Sequence, residues 1–347
     1  FNDKLIFAAN DAQFGFNTEL WISDGTAAGT KMLKDINPGS GGSSPRNFVQ
    51  LGAKFLFIAY TPTNGEELWV SDGTPDGTKL CKDINNNANS SSIRGFTIFN
   101  GNAFFYAADP VNGVEMWKTD GTPEGTVVVT ENQLNPGTAS TVDYLTPLPV
   151  ATPSYLYFPV HNSNFGKALF AYNTSNFLGM VYQNPFGDAN PKDLTVFNDQ
   201  VYFTANYNNI PSQRGLYKAE AFSAQNAVSV PANDPKDLTI ANGKLFFTAE
   251  DGNARRELFQ TNGYYYSSGM VKDINPSHTT GDVTFPTESA KRIFIGTHSQ
   301  LFFIANNGSS GYELWRSDGT EQGPILIKDI GSERGSEDYA DVKLVDR

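Results

Sequence analysis

Two carboxylates recur five residues apart in this sequence: Glu19 and Asp24, Glu67 and Asp72, Glu115 and Asp120, Glu313 and Asp318. Paired acids of this kind could act as general acid and base or as oxygen ligands of a repeated Ca2+. Both ideas meet the same objection. A catalytic site needs one constellation, whereas residues repeated along a chain point to its scaffold. A lone Asp-Gly also falls short of a Ca2+ loop, which takes several oxygen ligands in close spacing. Other reactive side chains are sparse. Cys81 is the only cysteine, so no intramolecular disulfide can form, and it replaces Leu33 of a sister repeat, an apolar role. His161, His278 and His298 are scattered, with no metal-ligand spacing. No catalytic residue, metal or cofactor is therefore expected, structural Ca2+ being the alternative left open.

The elements that carry these acids repeat as words. Glu19-Leu20-Trp21 returns as Glu67-Leu68-Trp69, Glu115-Met116-Trp117 and Glu313-Leu314-Trp315. It returns in altered form as Ala168-Leu169-Phe170, Gly215-Leu216-Tyr217 and Glu257-Leu258-Phe259. The seven aromatic positions lie 42 to 56 residues apart and hold every tryptophan, Trp21, Trp69, Trp117 and Trp315. An apolar word precedes each copy, such as Phe55-Leu56-Phe57 or Leu245-Phe246-Phe247, and Lys-Asp-Ile follows four of them. Each unit parses into four strands, A to D. Strand A is typified by Asp237-Leu238-Thr239-Ile240-Ala241, and the Asn242-Gly243 turn after it suits a two-residue hairpin whose residues both need positive φ. Strand B is near-continuously apolar, which implies a sheet covered on both faces. Strand C carries Glu-Leu-Trp and strand D ends in Lys-Asp-Ile.

Four-stranded antiparallel units of about 50 residues are the signature of propeller blades. The expected fold is all-β, a seven-bladed β-propeller forming one domain over 1–347. Its blades run approximately over 342–347 with 1–36, 46–84, 94–132, 143–183, 191–231, 235–274 and 290–330. The stretch Asp341-Val342-Lys343-Leu344-Val345-Asp346 matches strand A, and residues 4–10 match strand B. The C-terminal strand, about 341–346, is thus expected to complete the first blade and close the ring.

Between strands C and D stand Ser23-Asp24-Gly25-Thr26, Ser71-Asp72-Gly73-Thr74 and the matching words at Asp120 and Asp318. Asp folds its carboxylate onto nearby N–H groups and Gly tolerates positive φ, so Asp-Gly marks a turn. A hairpin centred between Thr26 and Ala27 sets Trp21 opposite Met32 and Glu19 opposite Lys34. The same register predicts Glu67–Lys82, Glu257–Lys272 and Glu313–Lys328 pairs, while Glu115 would face Thr130.

Composition excludes several partners. The chain has 347 residues, 18% charged, with a net charge of −12. An acidic surface disfavours nucleic acid, which needs a basic stripe, and anionic headgroups. No apolar run approaches the roughly 18 residues of a membrane span, so no direct membrane insertion is expected.

These words resemble the bacterial ELWxxDGT-repeat family over essentially the whole chain, most specifically in repeats 1, 2, 3 and 7. Repeats 4 to 6 depart, with Phe170, Tyr217 and Phe259 in place of tryptophan. The resemblance implies secreted or cell-surface proteins of Gram-negative bacteria, often parts of large adhesin-like chains and in some cases exported by the type IX system. It implies a recognition role and supplies no catalytic motif.

Function is then expected where the repeats differ. The B–C loops and D–A crossovers share one face and vary most. They hold Phe14, Phe16, Arg46, Arg94, Tyr207, Arg214, Arg255 and Arg256, aromatic and arginine types favoured in binding hot spots. On the opposite face, Tyr265 and Tyr266 fall at a hairpin tip, either free for a ligand or packed on the neighbouring blade. The expectation is a non-enzymatic extracellular module for recognition, adhesion or scaffolding. It would bind a surface glycan or a protein partner, or other domains of a larger chain. The alternatives are a propeller-type glycan-active hydrolase or lyase, and a purely structural spacer.

Overall fold

Strand B of the second repeat buries five residues in a row, Phe55 to Ala59. Successive side chains of a strand point to opposite faces, so this strand is covered on both. The same holds for Ala103–Ala107. The computed structural model describes residues 1–11, 17–39, 41–129, 146–162, 166–207, 213–227, 232–251, 256–274, 294–307 and 309–329. Phe14, Phe16, Thr130, Arg255 and the proposed closing strand 341–346 lie outside them.

The protein is all-β, built of seven antiparallel sheets in which strands follow chain order. Six sheets have four strands, and the first shows three among the described residues: Leu5–Asp11, Asn17–Ser23 and Lys31–Lys34. The second sheet is typical, with Arg46–Leu51, Lys54–Thr61, Gly65–Ser71 and Lys79–Lys82 as strands A to D. Its A–B turn and those at Asn100-Gly101 and Asn242-Gly243 are tight, and the latter two have positive φ at both residues. Strand A carries a bulge in four sheets, with a left-handed residue at Asn47, Gly95, Asp193 or Asp237.

The chain divides into two compact units, 1–164 with 172–177, and 165–171 with 178–347. Within the first, strands C and D of one sheet pack on B and C of the next. Leu20, Ile22 and Leu33 meet Phe55, Phe57 and Trp69, and Leu68, Val70 and Cys81 meet Ala103, Phe105 and Trp117. The second unit repeats the pattern, with Leu258, Val271 and Ile274 against Leu301, Phe303 and Trp315. The signature tryptophan thus seals the joint with the preceding sheet. Cys81 is buried there in the apolar role of Leu33.

The C–D register is half as expected. Trp21 pairs with Met32 and Trp69 with Leu80, but a bulge follows, and Lys34 and Lys82 then face Leu20 and Leu68 rather than the glutamates. Lys272 and Lys328 are displaced alike, onto Leu258 and Leu314. The extra residue turns Leu33 or Cys81 into the joint with the next sheet. The Glu–Lys cross-strand pairs therefore do not form in this register. Lys34 Nζ instead reaches the carbonyl of Pro75 at 3.1 Å, and Lys82 Nζ that of Pro123 at 3.3 Å, both in the next sheet's C–D turn.

Candidate functional site

The Ser-Asp-Gly-Thr turns form one repeated hydrogen-bond set. Asp24 Oδ1 accepts the Thr26 N–H at 2.9 Å and its hydroxyl at 2.7 Å. Asp72, Asp120 and Asp318 do the same with Thr74, Thr122 and Thr320. These donors hold the four carboxyls below the usual carboxylate range; the hydroxyl dominates at the first three, the Thr320 N–H at Asp318. The threonine hydroxyl in turn accepts the Gly29 or Gly77 N–H. The second glycine of the word has a steric reason: a Cβ at Gly77 would lie 2.0 Å from Asp72 Oδ1. Gly77→Ala should therefore push the carboxylate off Thr74 and destabilise the protein by about 1–2 kcal/mol. Combined with Asp72→Ala it should add little, because the obstacle is then gone; denaturant unfolding of the three variants checks this.

The repeated glutamate is not an exposed acid. Glu19 and Glu67 are fully buried. Glu19 accepts the Ile36 and Ser43 N–H groups, each at 2.9 Å, the Asn37 N–H at 3.4 Å and the Ser43 hydroxyl at 2.6 Å. Glu67 accepts from Ile84 N at 2.8 Å, Asn85 N at 3.4 Å and Ser91 Oγ at 2.8 Å. Each carboxylate thereby ties the exit of strand D and the start of the D–A crossover to strand C. Burial outweighs these donors at Glu67 and pushes its pKa up to about 7. This latch escaped sequence reasoning. The signal for it is a Ser-Ser pair in both crossovers, Ser43-Ser44 and Ser91-Ser92, just before Arg46 and Arg94.

The described arginines of the variable face make internal bonds. Arg46 forms a bidentate pair with Glu66 at 2.6 and 2.8 Å. Arg94 lies 4.7 Å from the centre of the Tyr106 ring and donates to the Thr146 carbonyl at 2.9 Å. Arg214 is buried and bonds Asn190 O, Asn206 Oδ1, Thr204 O and Thr204 Oγ1. Arg256 bonds Asp234 Oδ2 at 2.8 Å and the Asp234 carbonyl at 3.0 Å. Tyr207 is exposed. The four arginines brace crossovers and strands A to C; the structure does not gather these side chains into one site.

The opposite end of the sixth sheet differs. Tyr264, Tyr265 and Tyr266 form a consecutive exposed run at its C–D tip, with Tyr265–Ser267 in a 3-10 turn. The tip rests on the fifth sheet through Asn198 Nδ2 to the Asn262 carbonyl and Tyr202 OH to the Gly263 carbonyl. Between the sixth and seventh sheets lies an open groove of about 490 Å³, lined by Ile240 to Gly243 and Gly296 to His298. Among the described residues no three His, Cys, Asp or Glu side chains group to hold a metal. Among the described residues no helix is long and apolar enough to cross a membrane.

No family model matches the sequence, and no curated protein does. Solved structures resemble the chain at low identity. A computationally designed protein, Ika8, is 11% identical with a TM-score of 0.43, covering 93% of this chain and 83% of that one. TolB from Acinetobacter baumannii is 8% identical with a TM-score of 0.36, over 92% and 78%. Prolyl oligopeptidase B from Galerina marginata is 12% identical with a TM-score of 0.44, over 94% of this chain and 50% of that one. The chain spans about half the length of this last protein.

Proposed function

We propose that the chain is a non-catalytic recognition module folded as a closed seven-bladed propeller, each sheet being one blade. Exposure at the two terminal sheets supports closure. Leu5 on strand B of the first sheet is 64% exposed, whereas its counterparts Phe55, Ala103, Val201, Leu245 and Leu301 are at most 2% exposed. On the last sheet Ile327 is 44% exposed, whereas its counterparts Leu33, Cys81 and Val271 are buried. Both positions have the surface of a core residue that lacks its neighbour.

One observation carries the functional half. The carboxylates that could do chemistry are occupied by the scaffold: the signature aspartates hold their own turns, and Glu19 and Glu67 hold the crossovers. What remains for a ligand is the residues the repeats do not share. The resemblance to the ELWxxDGT repeats favours a secreted or cell-surface setting, with a glycan or a protein as partner. The test is a binding screen of immobilised glycans and surface proteins, with and without a chelator. The expected result is a ligand retained unaltered, with the same retention and melting temperature after chelation. Turnover of a retained glycan would revive the hydrolase or lyase alternative, and retention of nothing would favour the spacer. Chelator-dependent stability would establish a structural cation.

A further inference from the structure

We propose that the C–D tip of the sixth sheet, Tyr264-Tyr265-Tyr266, is a stacking platform for an uncharged sugar ring. The proposal rests on the recognition reading above and assigns it a place and a ligand class. Tyr264 is 76% exposed, Tyr265 44% and Tyr266 89%. They occupy the positions that hold Thr26-Ala27-Ala28, Thr74-Pro75-Asp76, Thr122-Pro123-Glu124 and Thr320-Glu321-Gln322 in other sheets. Those turns close without an aromatic residue, so the tyrosines are not needed to make the hairpin. Nor do they serve as core, since they are exposed.

The backbone beneath them is held by side-chain hydrogen bonds, as in the sister turns. Asn262 Oδ1 accepts the Tyr264 N–H at 3.2 Å, in the role of Asp24. Ser267 Oγ donates to the Tyr264 carbonyl at 2.6 Å, and Ser268 Oγ to the Tyr265 carbonyl at 2.8 Å. Thr261 Oγ1 accepts the Gly263 N–H at 3.1 Å. Anchors from Asn198 and Tyr202 fix the tip to the fifth sheet. Three rings with two soft torsions each are thus displayed on an ordered turn, which lowers the entropy lost on binding.

The geometry and charge select the ligand class. Tyr265 and Tyr266 stand edge to face, with centroids 5.1 Å apart and planes at 84°, so they offer one ring face beside one ring edge. That shape matches a single pyranose, whose apolar C–H face lies on an aromatic ring while its hydroxyls meet phenol groups and water. Residues 261–268 carry no charge, and the protein's net charge is −12. An anionic sugar would be repelled, and a basic one would find no counter-charge in the turn. A protein interface typically needs roughly 800 Å² from each partner, more than one three-residue tip provides.

The experiment is an array of neutral oligosaccharides of gluco, galacto, manno and N-acetylhexosamine type, beside sialylated and sulfated ones. It is probed with the native protein, Tyr264→Ala, Tyr266→Ala and Tyr266→Trp. The expected result is a neutral glycan retained by the native protein and weakened about tenfold or more in each alanine variant. Tyr266→Trp should keep the affinity, and melting temperatures should stay close to native because the rings are exposed. Equal binding by the alanine variants overturns the platform and leaves the recognition reading standing. Preference for anionic glycans overturns the ligand class, as does tyrosine-dependent capture of a protein without any glycan. A native protein that retains nothing in either screen removes both proposals.

Discussion

Replacing Glu67 with glutamine is expected to remove a fall in stability that the native protein undergoes between about pH 4.5 and 7. The carboxyl is buried against Ile84, Asn85 and Ser91, and its pKa stands at about 7 instead of 4.5. A group whose pKa is raised on folding binds its proton more tightly in the native state. Its contribution is fully present below pH 4.5 and is lost as pH rises through about 7. The loss attributable to this group is on the order of 3 kcal/mol. Glutamine can keep its oxygen on Ile84 N and Ser91 Oγ and forgo the long 3.4 Å bond to Asn85 N. Stability at pH 5 should then stay near native, while the difference between variant and native protein grows in the variant's favour toward pH 8. Glu67→Ala should instead cost roughly 3 kcal/mol or more at every pH, because buried donors are left without an acceptor. Denaturant titrations at several pH values measure both. A native–glutamine difference that does not change with pH would show that Glu67 is ionised throughout this range.

Trp69→Ala should destabilise by about 3–5 kcal/mol, the usual cost of emptying a large aromatic site in a core. Trp69 is buried among Leu20, Ile22 and Leu33 of the first sheet, and its ring lies 6.4 Å from that of Phe57. Trp21 holds the same position one repeat earlier, with Phe7 at the same 6.4 Å, yet it is only partly buried. In a closed propeller the last sheet would supply Trp21 with the neighbour that the first sheet gives Trp69. Trp21→Ala should then cost nearly as much as Trp69→Ala. A cost below about 1 kcal/mol for Trp21→Ala, beside a full cost for Trp69→Ala, is the result that removes closure. The pair of unfolding curves decides between a ring and an open stack.

Much of the sheet pattern was legible because its causes are local. Asn242-Gly243 announces a tight hairpin through backbone φ alone, and the run at Phe55–Ala59 announces a doubly covered strand. The turn centre between Thr26 and Ala27 places Trp21 opposite Met32 correctly, since nothing intervenes between turn and pair. The Glu–Lys pairing failed one step further on. The bulge at Leu33, opposite the Leu20–Trp21 step, serves the joint between sheets, where Leu33 turns toward Phe55 and Phe57, residues more than twenty positions away. Likewise Arg214 and Arg256 read as binding residues of a variable loop, but Arg214 bonds Asn190 before the first strand of its sheet and Thr204 and Asn206 on the second, and Arg256 bonds Asp234 on the first strand of its own.

The repeated Glu and Asp residues illustrate the division. The sequence by itself determined that these acids belong to a repeated scaffold, and it determined the four-strand unit and the turn chemistry of Asp-Gly-Thr. Those properties follow from period, backbone conformation and hydrogen bonds within a few residues. Only the tertiary structure decided that Glu67 faces backbone donors and not Lys82, that Lys34 grips the next sheet at Pro75, and that Tyr264–Tyr266 are exposed to solvent. Each of these depends on which surface arrives from elsewhere in the chain. Burial and partner choice are properties of that meeting and are not encoded in any short stretch of sequence.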